Sequence, residues 1–239
     1  MTVAEYHSEL VERLRTVLGE RAVGVYASGS FGLGDFDPVR SDLDVQAVFR
    51  GTVTPDDKHA IVAALRHESL PCPARGLEFV LYPEETVRVP TGEAGFALNL
   101  NTGARMDFRV DEAPVASERF WFPLDRAVVR AAGVALAGPP PSELYAPIPR
   151  PILLPVVREA LEWHLLGEST DVDAVLNTCR SLRWLREDVW SSKGDAGSWA
   201  LDQVDDRELV AEAFAGRSRG AQLDRERVQR FVRAVLVEL

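Results

Sequence analysis

The chain has little that would cross-link it or carry it into a membrane. Two cysteines among 239 residues, Cys72 and Cys179, lie far apart, which excludes a disulfide framework. No apolar run approaches the roughly 20 residues of a membrane span. The opening stretch MTVAEYHSELVERL is acidic and amphipathic, unlike a secretory signal, so a cytoplasmic location is expected. Basic residues are outnumbered, 27 Lys and Arg against 37 Asp and Glu, for a net charge of -10 and a pI near 5.0. That excludes a general nucleic-acid binder, which needs a basic face, and suits a cationic small molecule drawn to an acidic cleft. His7, His59, His67 and His164 show no metal-ligand spacing and read as surface or partly buried residues. There is no internal repeat and no low-complexity segment.

What remains is ordinary globular composition, 46% hydrophobic and 27% charged, enough for a sizeable core. Val3, Tyr6, Leu10, Leu14 and Val17 recur at helical spacing over residues 2–19, and Thr2 with Glu5 forms a capping box. Strands are predicted at Ala22–Ala27, Leu43–Phe49 and Leu77–Tyr82. A loop over Gly29–Gly34 ends the first, and a helix from Pro55 to about Leu70 follows the second. Residues 96–110 read as two short extended segments, and Phe120–Val134 as a helix. The stretch GPPPSELYAPIPRP, Gly138–Pro151, holds six of the fifteen prolines and reads as a stiff connector. Beyond it come helices only, at about Ile152–Leu166, Val172–Glu187, Gly194–Val204, Arg207–Ala215 and Asp224–Leu239. Trp121, Trp184, Trp190 and Trp199 fall at helical positions and read as core. The predicted fold is α+β, a mixed sheet domain over 1–150 including the connector, followed by an all-helical bundle over 151–239.

The chemistry lies in VYASGSFGLGDFDPVRSDLDVQAVF, residues 25–49. Side chains two apart on a strand share a face, so Asp42 and Asp44 project together while Leu43 and Val45 enter the core. Two carboxylates this close repel unless a cation neutralises them. Mg²⁺, which takes one or two carboxylates plus substrate phosphates, is the natural cation. Gly29-Ser30 leaves the preceding strand, where glycine lets a phosphate approach the backbone and a serine hydroxyl can donate to it. In the third strand Glu78 points away from Leu77, Phe79 and Leu81. If that strand neighbours the second, Glu78 completes a three-carboxylate cluster suited to phosphoryl transfer. Alone, an Asp-x-Asp pair marks a turn or a solvated edge. The ordered set is far more specific: strand, Gly-Ser, eleven residues, Asp-Leu-Asp-Val, then Glu in a later strand.

Gly29-Ser30, Ser41-Asp42-Leu43-Asp44 and Leu77-Glu78 resemble the signature of the polymerase-β-like nucleotidyltransferases. Within that superfamily the chain resembles the streptomycin/spectinomycin aminoglycoside adenylyltransferases. VALAGPPPSELYAPIP is similar to that family's connector, and VLNTCRSLRWL and SSKGDAGSWAL to two of its C-terminal helical segments. The resemblance implies Mg²⁺ at Asp42 and Asp44, and Glu78 as the base that deprotonates the acceptor hydroxyl. It implies nucleotide contacts from Gly29, Ser30, Ser41 and Asp42, with Arg180 and Lys193 reaching the triphosphate of an ATP bound between the domains. Asp125 is a further match for a nucleotide-side acid. Trp163 matches a drug-binding tryptophan, and Glu168, Asp171 and Asp173 are all candidates for the substrate carboxylates. A second tryptophan expected after the third strand is missing, its region offering Asn99, Asn101 and Thr102. That favours a spectinomycin-like acceptor over streptomycin.

The implied reaction is transfer of AMP from ATP to a hydroxyl of an aminoglycoside or aminocyclitol, releasing pyrophosphate, by a monomer that needs neither nucleic acid nor membrane. Two alternatives stand beside it. A protein-adenylylating, antitoxin-like enzyme is commonly a minimal single domain, against which the helical half argues. A non-catalytic nucleotide-binding module would be favoured by loss of a carboxylate, yet Asp42, Asp44 and Glu78 are all present.

Overall fold

The computed structural model describes residues 1–115, 118–167, 171–217 and 222–239. The chain divides into two compact units, Met1–Pro149 and Arg150–Leu239. The first unit opens with helix α1, Val3–Leu18, whose cap is the expected box: Thr2 Oγ1 accepts from Glu5 N and the Glu5 carboxylate from Thr2 N. Strand β1 (Ala22–Ala27) follows, then a single helical turn α2 (Gly29–Gly32) and strand β2 (Leu43–Phe49). Helix α3 (Pro55–Leu65) leads to β3 (Leu77–Pro83), a short α4 (Glu84–Val87) and the hairpin of β4 (Leu98–Gly103) and β5 (Met106–Asp111). Helix α5 (Trp121–Ala132), strand β6 (Val134–Ala137) and the turn α6 (Pro141–Leu144) complete the unit.

Among the described residues the strands form one mixed sheet in the order β5-β4-β3-β2-β1-β6, with β2 and β3 parallel and the other pairs antiparallel. Alternation assigns its two faces. Leu43, Val45, Ala47 and Phe49 of β2 and Leu77, Phe79 and Leu81 of β3 are buried with α1 and α3. The opposite face grades along the strands. Val48 and Tyr82, at the C-terminal ends of β2 and β3, are buried with Tyr26, Val129 of α5 and Tyr145. At the N-terminal ends the same face carries Asp44 and Glu78, both half-buried. Truncating a wholly buried residue such as Leu43 removes packing worth about 2–5 kcal/mol, so the core face pins the register that aims the acids.

Several expectations are corrected. The Gly29–Gly34 loop begins as a helical turn. Helix α3 stops at Leu65, not near Leu70, because Arg66 turns extended and the next groups find other partners. His67 N donates to Thr102 Oγ1 (2.9 Å), and His67 Nδ1 accepts from Cys72 N (3.2 Å). The predicted Phe120–Val134 helix ends at Ala132, and Val134–Ala137 form strand β6, which pairs antiparallel with β1. The connector carries α6, and Pro151 lies inside a helix. His7 and His164 are buried rather than superficial.

The second unit is helical: α7 (Arg150–Leu166), α8 (Asp171–Glu187), α9 (Lys193–Ala200), α10 (Arg207–Gly216) and α11 (Arg225–Leu236). Helix α9 is shorter than the expected Gly194–Val204. Trp184 is buried as expected, whereas Trp190 sits outside the helices and stacks on it at 5.3 Å between ring centroids. Ser192, Asp206 and Asp224 cap α9, α10 and α11 by accepting from backbone N–H groups in their first turns. No helix among the described residues is long and apolar enough to cross a membrane.

Candidate active site

In the first unit Asp44 of β2 is the register partner of Glu78 of β3, Glu78 of Asn101 in β4, and Asn101 of Arg109 in β5. Register partners point to the same side, with strands about 4.8 Å apart. The row therefore runs acid, acid, amide, guanidinium across one face. The core residues on either side of each acid fix this orientation, because a one-residue slip would bury both carboxylates.

The first strand ends against this row. Ser28 N donates to Asp44 O at 2.9 Å, carrying the β1–β2 pairing one step beyond Ala27. The chain then turns at Gly29 with φ +54°, and a Cβ there would overlap the Asp44 carboxylate. Two independent constraints thus call for glycine: the left-handed backbone and the acid at its face. Ser30 Oγ is buried without a hydrogen-bond partner among the described residues, and so is Gln46 Oε1, two residues beyond Asp44 on its face. Buried polar atoms normally find partners, so an orphaned hydroxyl in the turn that abuts Asp44 is a place for a ligand oxygen. Ser41 is already engaged, its Oγ accepting from Asp37 N at 3.1 Å.

Asp42 lies just before β2, and its carboxylate is held by a residue that sequence reasoning missed. Arg75 Nε and Nη2 donate to its two oxygens at 2.7 and 2.6 Å. A cation that compensates Asp42 is thus present within the chain. The signal was a lone arginine three residues before Glu78, but it points to Asp42 only once β3 is known to run parallel to β2. Among the described residues no three His, Cys, Asp or Glu side chains converge to hold a metal ion, Asp42 being turned to Arg75 while Asp44 and Glu78 stand side by side. In the region of the missing tryptophan, Thr102 is buried and bonded to His67, and Asn99 Nδ2 donates to Asp111 at 3.0 Å. Asn101 stands beside Glu78. Asp125 is exposed on α5.

The second unit holds the other candidates. Arg180 of α8 donates from Nε to Ser191 O at 2.9 Å, tying the segment before α9 to the helix. Lys193, the first residue of α9, pairs with Asp173. That pair is 34% and 41% exposed, the class worth about 0–1 kcal/mol. Asp171 is committed elsewhere, accepting from Arg225 of α11 at 2.8 Å. Trp163 is half-buried on α7 with its ring 5.1 Å from that of His164. Burial, reinforced by Lys193 and opposed by Asp173, lowers the His164 pKa to about 4, so the ring is neutral at pH 7. Glu168 lies outside the described residues.

Residues 143–238 match the family model described as aminoglycoside adenylyltransferase, C-terminal domain. Over the whole chain the fold is similar to that in the crystal structure of spectinomycin adenyltransferase AAD(9) from Enterococcus faecialis with ATP and spectinomycin. The TM-score is 0.72 at 16% identity, with 99% of each chain covered. No curated protein matches the sequence. The helical segments that suggested the adenylyltransferases are thus met by the domain match. The mixed sheet followed by helices is met by the structural likeness, which at this identity speaks for the fold.

Proposed function

We propose that the chain is a nucleotidyltransferase that moves AMP from ATP to a hydroxyl of an aminoglycoside or aminocyclitol antibiotic, releasing pyrophosphate. One observation carries the reading: Asp44 and Glu78 stand in lateral register beside a turn whose glycine is required by that same Asp44. The C-terminal domain match supports the family, and the fold it shares with a spectinomycin adenyltransferase supports the acceptor class.

The acceptor oxygen attacks the α-phosphorus. A new P–O bond forms, the bond to the bridging oxygen of the leaving pyrophosphate breaks, and Glu78 receives the hydroxyl proton. As an adjacent strand residue, Glu78 is held by the sheet, which is the positioning a general base needs. Ser30 Oγ, orphaned and buried, donates to a phosphate oxygen, and Ser41 is assigned to the phosphates with it. Arg180 and Lys193 are assigned to the triphosphate, where Arg180 binds as a fork and Lys193 as a point charge. Trp163 with Asp173 is assigned to the acceptor. Asp171 is the weaker candidate, since its carboxylate ties α8 to α11.

The donor set fits Mg²⁺, which accepts one or two carboxylates and completes its shell with water and substrate phosphates. Asp42 and Asp44 would hold it, and there it would supply positive charge to the reacting phosphates. The test is pyrophosphate release with ATP and Mg²⁺ against a panel of aminoglycosides and aminocyclitols, with mass spectrometry of the products. An acceptor heavier by one adenylyl group is the expected result, spectinomycin before streptomycin. Nucleotide binding without turnover on any member would overturn the acceptor class.

A further inference from the structure

We propose that Arg75 is a positioning residue that holds Asp42 in the nucleotide-free protein and passes to a nucleotide phosphate when the metal–nucleotide complex binds. The inference rests on the function proposed above and concerns how the same site is loaded.

Three observations meet at this residue. The ion pair is bidentate, at 2.7 and 2.6 Å, which is the planar fork that serves carboxylate and phosphate equally well. Its backbone is fixed. Arg75 N donates to Ser41 O at 3.1 Å, and Arg75 O accepts from Arg105 N at 3.4 Å. The β4–β5 turn packs so closely that a Cβ on Gly103 would meet Gly76 Cα at 2.5 Å and Arg75 O at 2.6 Å. The guanidinium, by contrast, sits at the solvent boundary, 46% exposed, while Asp42 is 17% exposed. An anchored backbone with an exposed head can re-aim its charge without disturbing the sheet.

The electrostatics give the motion a direction. With Arg75 in place, a divalent ion arriving alone must displace or share a guanidinium at Asp42. A nucleotide brings phosphate oxygens that offer that guanidinium the same two-pronged partner. Metal and nucleotide therefore bind together far better than metal alone, and Asp42 stays compensated until the substrate arrives.

Mn²⁺ affinity, measured by electron paramagnetic resonance or calorimetry on the full chain, tests this apart from turnover. In the absence of nucleotide, Arg75→Ala is expected to bind Mn²⁺ about three- to tenfold more tightly than the parent. With Mn²⁺ and a non-hydrolysable ATP analogue, the same variant is expected to bind the nucleotide about tenfold more weakly. Arg75→Lys, which keeps the charge and loses the fork, should fall between on both measurements, and it carries the test should Arg75→Ala not fold. Unchanged or weaker Mn²⁺ binding in the variants, or unchanged nucleotide affinity, overturns the proposal. Should the parent bind no nucleotide at all, the adenylyl-transfer reading fails, while the nucleotide-free Mn²⁺ comparison still decides whether Arg75 screens Asp42.

Discussion

Gly29→Ala perturbs the site through one methyl group, and the structure separates its two consequences. At φ +54° an alanine pays the left-handed backbone penalty of about 1–2 kcal/mol. The new Cβ would also overlap the Asp44 carboxylate, and crowding of that kind adds about 1–3 kcal/mol. Together they amount to a loss of about 2–5 kcal/mol, which at about 2–4 °C per kcal/mol for a chain of this size lowers Tm by roughly 4–20 °C. The carboxylate is the movable partner, so the variant should also lose at least about 100-fold in turnover, the scale of a 1 Å misplacement.

A double-mutant cycle with Asp44→Ala isolates the second term. Removing the carboxyl leaves the Asp44 Cβ, which the new methyl group would meet at 3.1 Å, a contact relieved by a few tenths of an ångström. In the Asp44→Ala background, Gly29→Ala should therefore cost only about 1–2 kcal/mol, giving a coupling of about 1–3 kcal/mol. Chemical denaturation of the four proteins measures it. A Gly29→Ala effect of equal size in both backgrounds would refute the steric link between the turn and the acid. Glycine would then be there for its backbone alone.

Other consequences are as direct. Glu78→Gln should keep Mg·ATP binding and lose about 10²–10⁴-fold in rate; an ATP affinity that collapses with the rate would make Glu78 a metal ligand instead. Asp44→Asn should abolish turnover with the fold intact by circular dichroism, and near-normal activity would remove Asp44 from the site. The His164 pKa is lowered from 6.5 to about 4 by burial. As pH falls through 6.5 the unfolded chain takes the proton first, so stability drops between pH 6.5 and 4 by about 3 kcal/mol. His164→Asn should flatten that part of the stability–pH curve, and a slope unchanged by the substitution would count against it. Binding of the cationic acceptor should weaken on raising NaCl, because exposed charge pairs are screened with a Debye length of about 8 Å near 0.15 M; a salt-independent Kd in titration calorimetry would argue against carboxylate pairing.

The parts of this site that were legible in the sequence are those set by the chain's local period. Leu43 and Val45 being apolar forces Asp42 and Asp44 to the other side. Leu77, Phe79 and Leu81 do the same for Glu78, and the core shared with α1 and α3 bears this out. The helix start at Thr2 was legible because its cap is satisfied within three residues, and that of α3 because Pro55 suits a first helical position. What failed depends on partners distant in sequence. The end of α3 is set by Thr102, 35 residues away. Strand β6 is four residues long, and only its pairing with β1 makes Val134–Ala137 a strand.

The same distinction explains which acids could be ranked. Asp171 and Asp173 are equivalent in the sequence, two residues apart at the start of one helix. Arg225, 54 residues on, engages the first, and Lys193 pairs with the second across a more exposed contact. Asp42 is the sharper case. Its charge announced that a cation was needed, and metal was the local answer. The sheet supplied a different one, because parallel pairing of β2 and β3 brings Arg75 to the start of the same ladder, its backbone N–H donating to Ser41. A charge pattern can state that compensation is required. Only strand register says which group of the chain provides it.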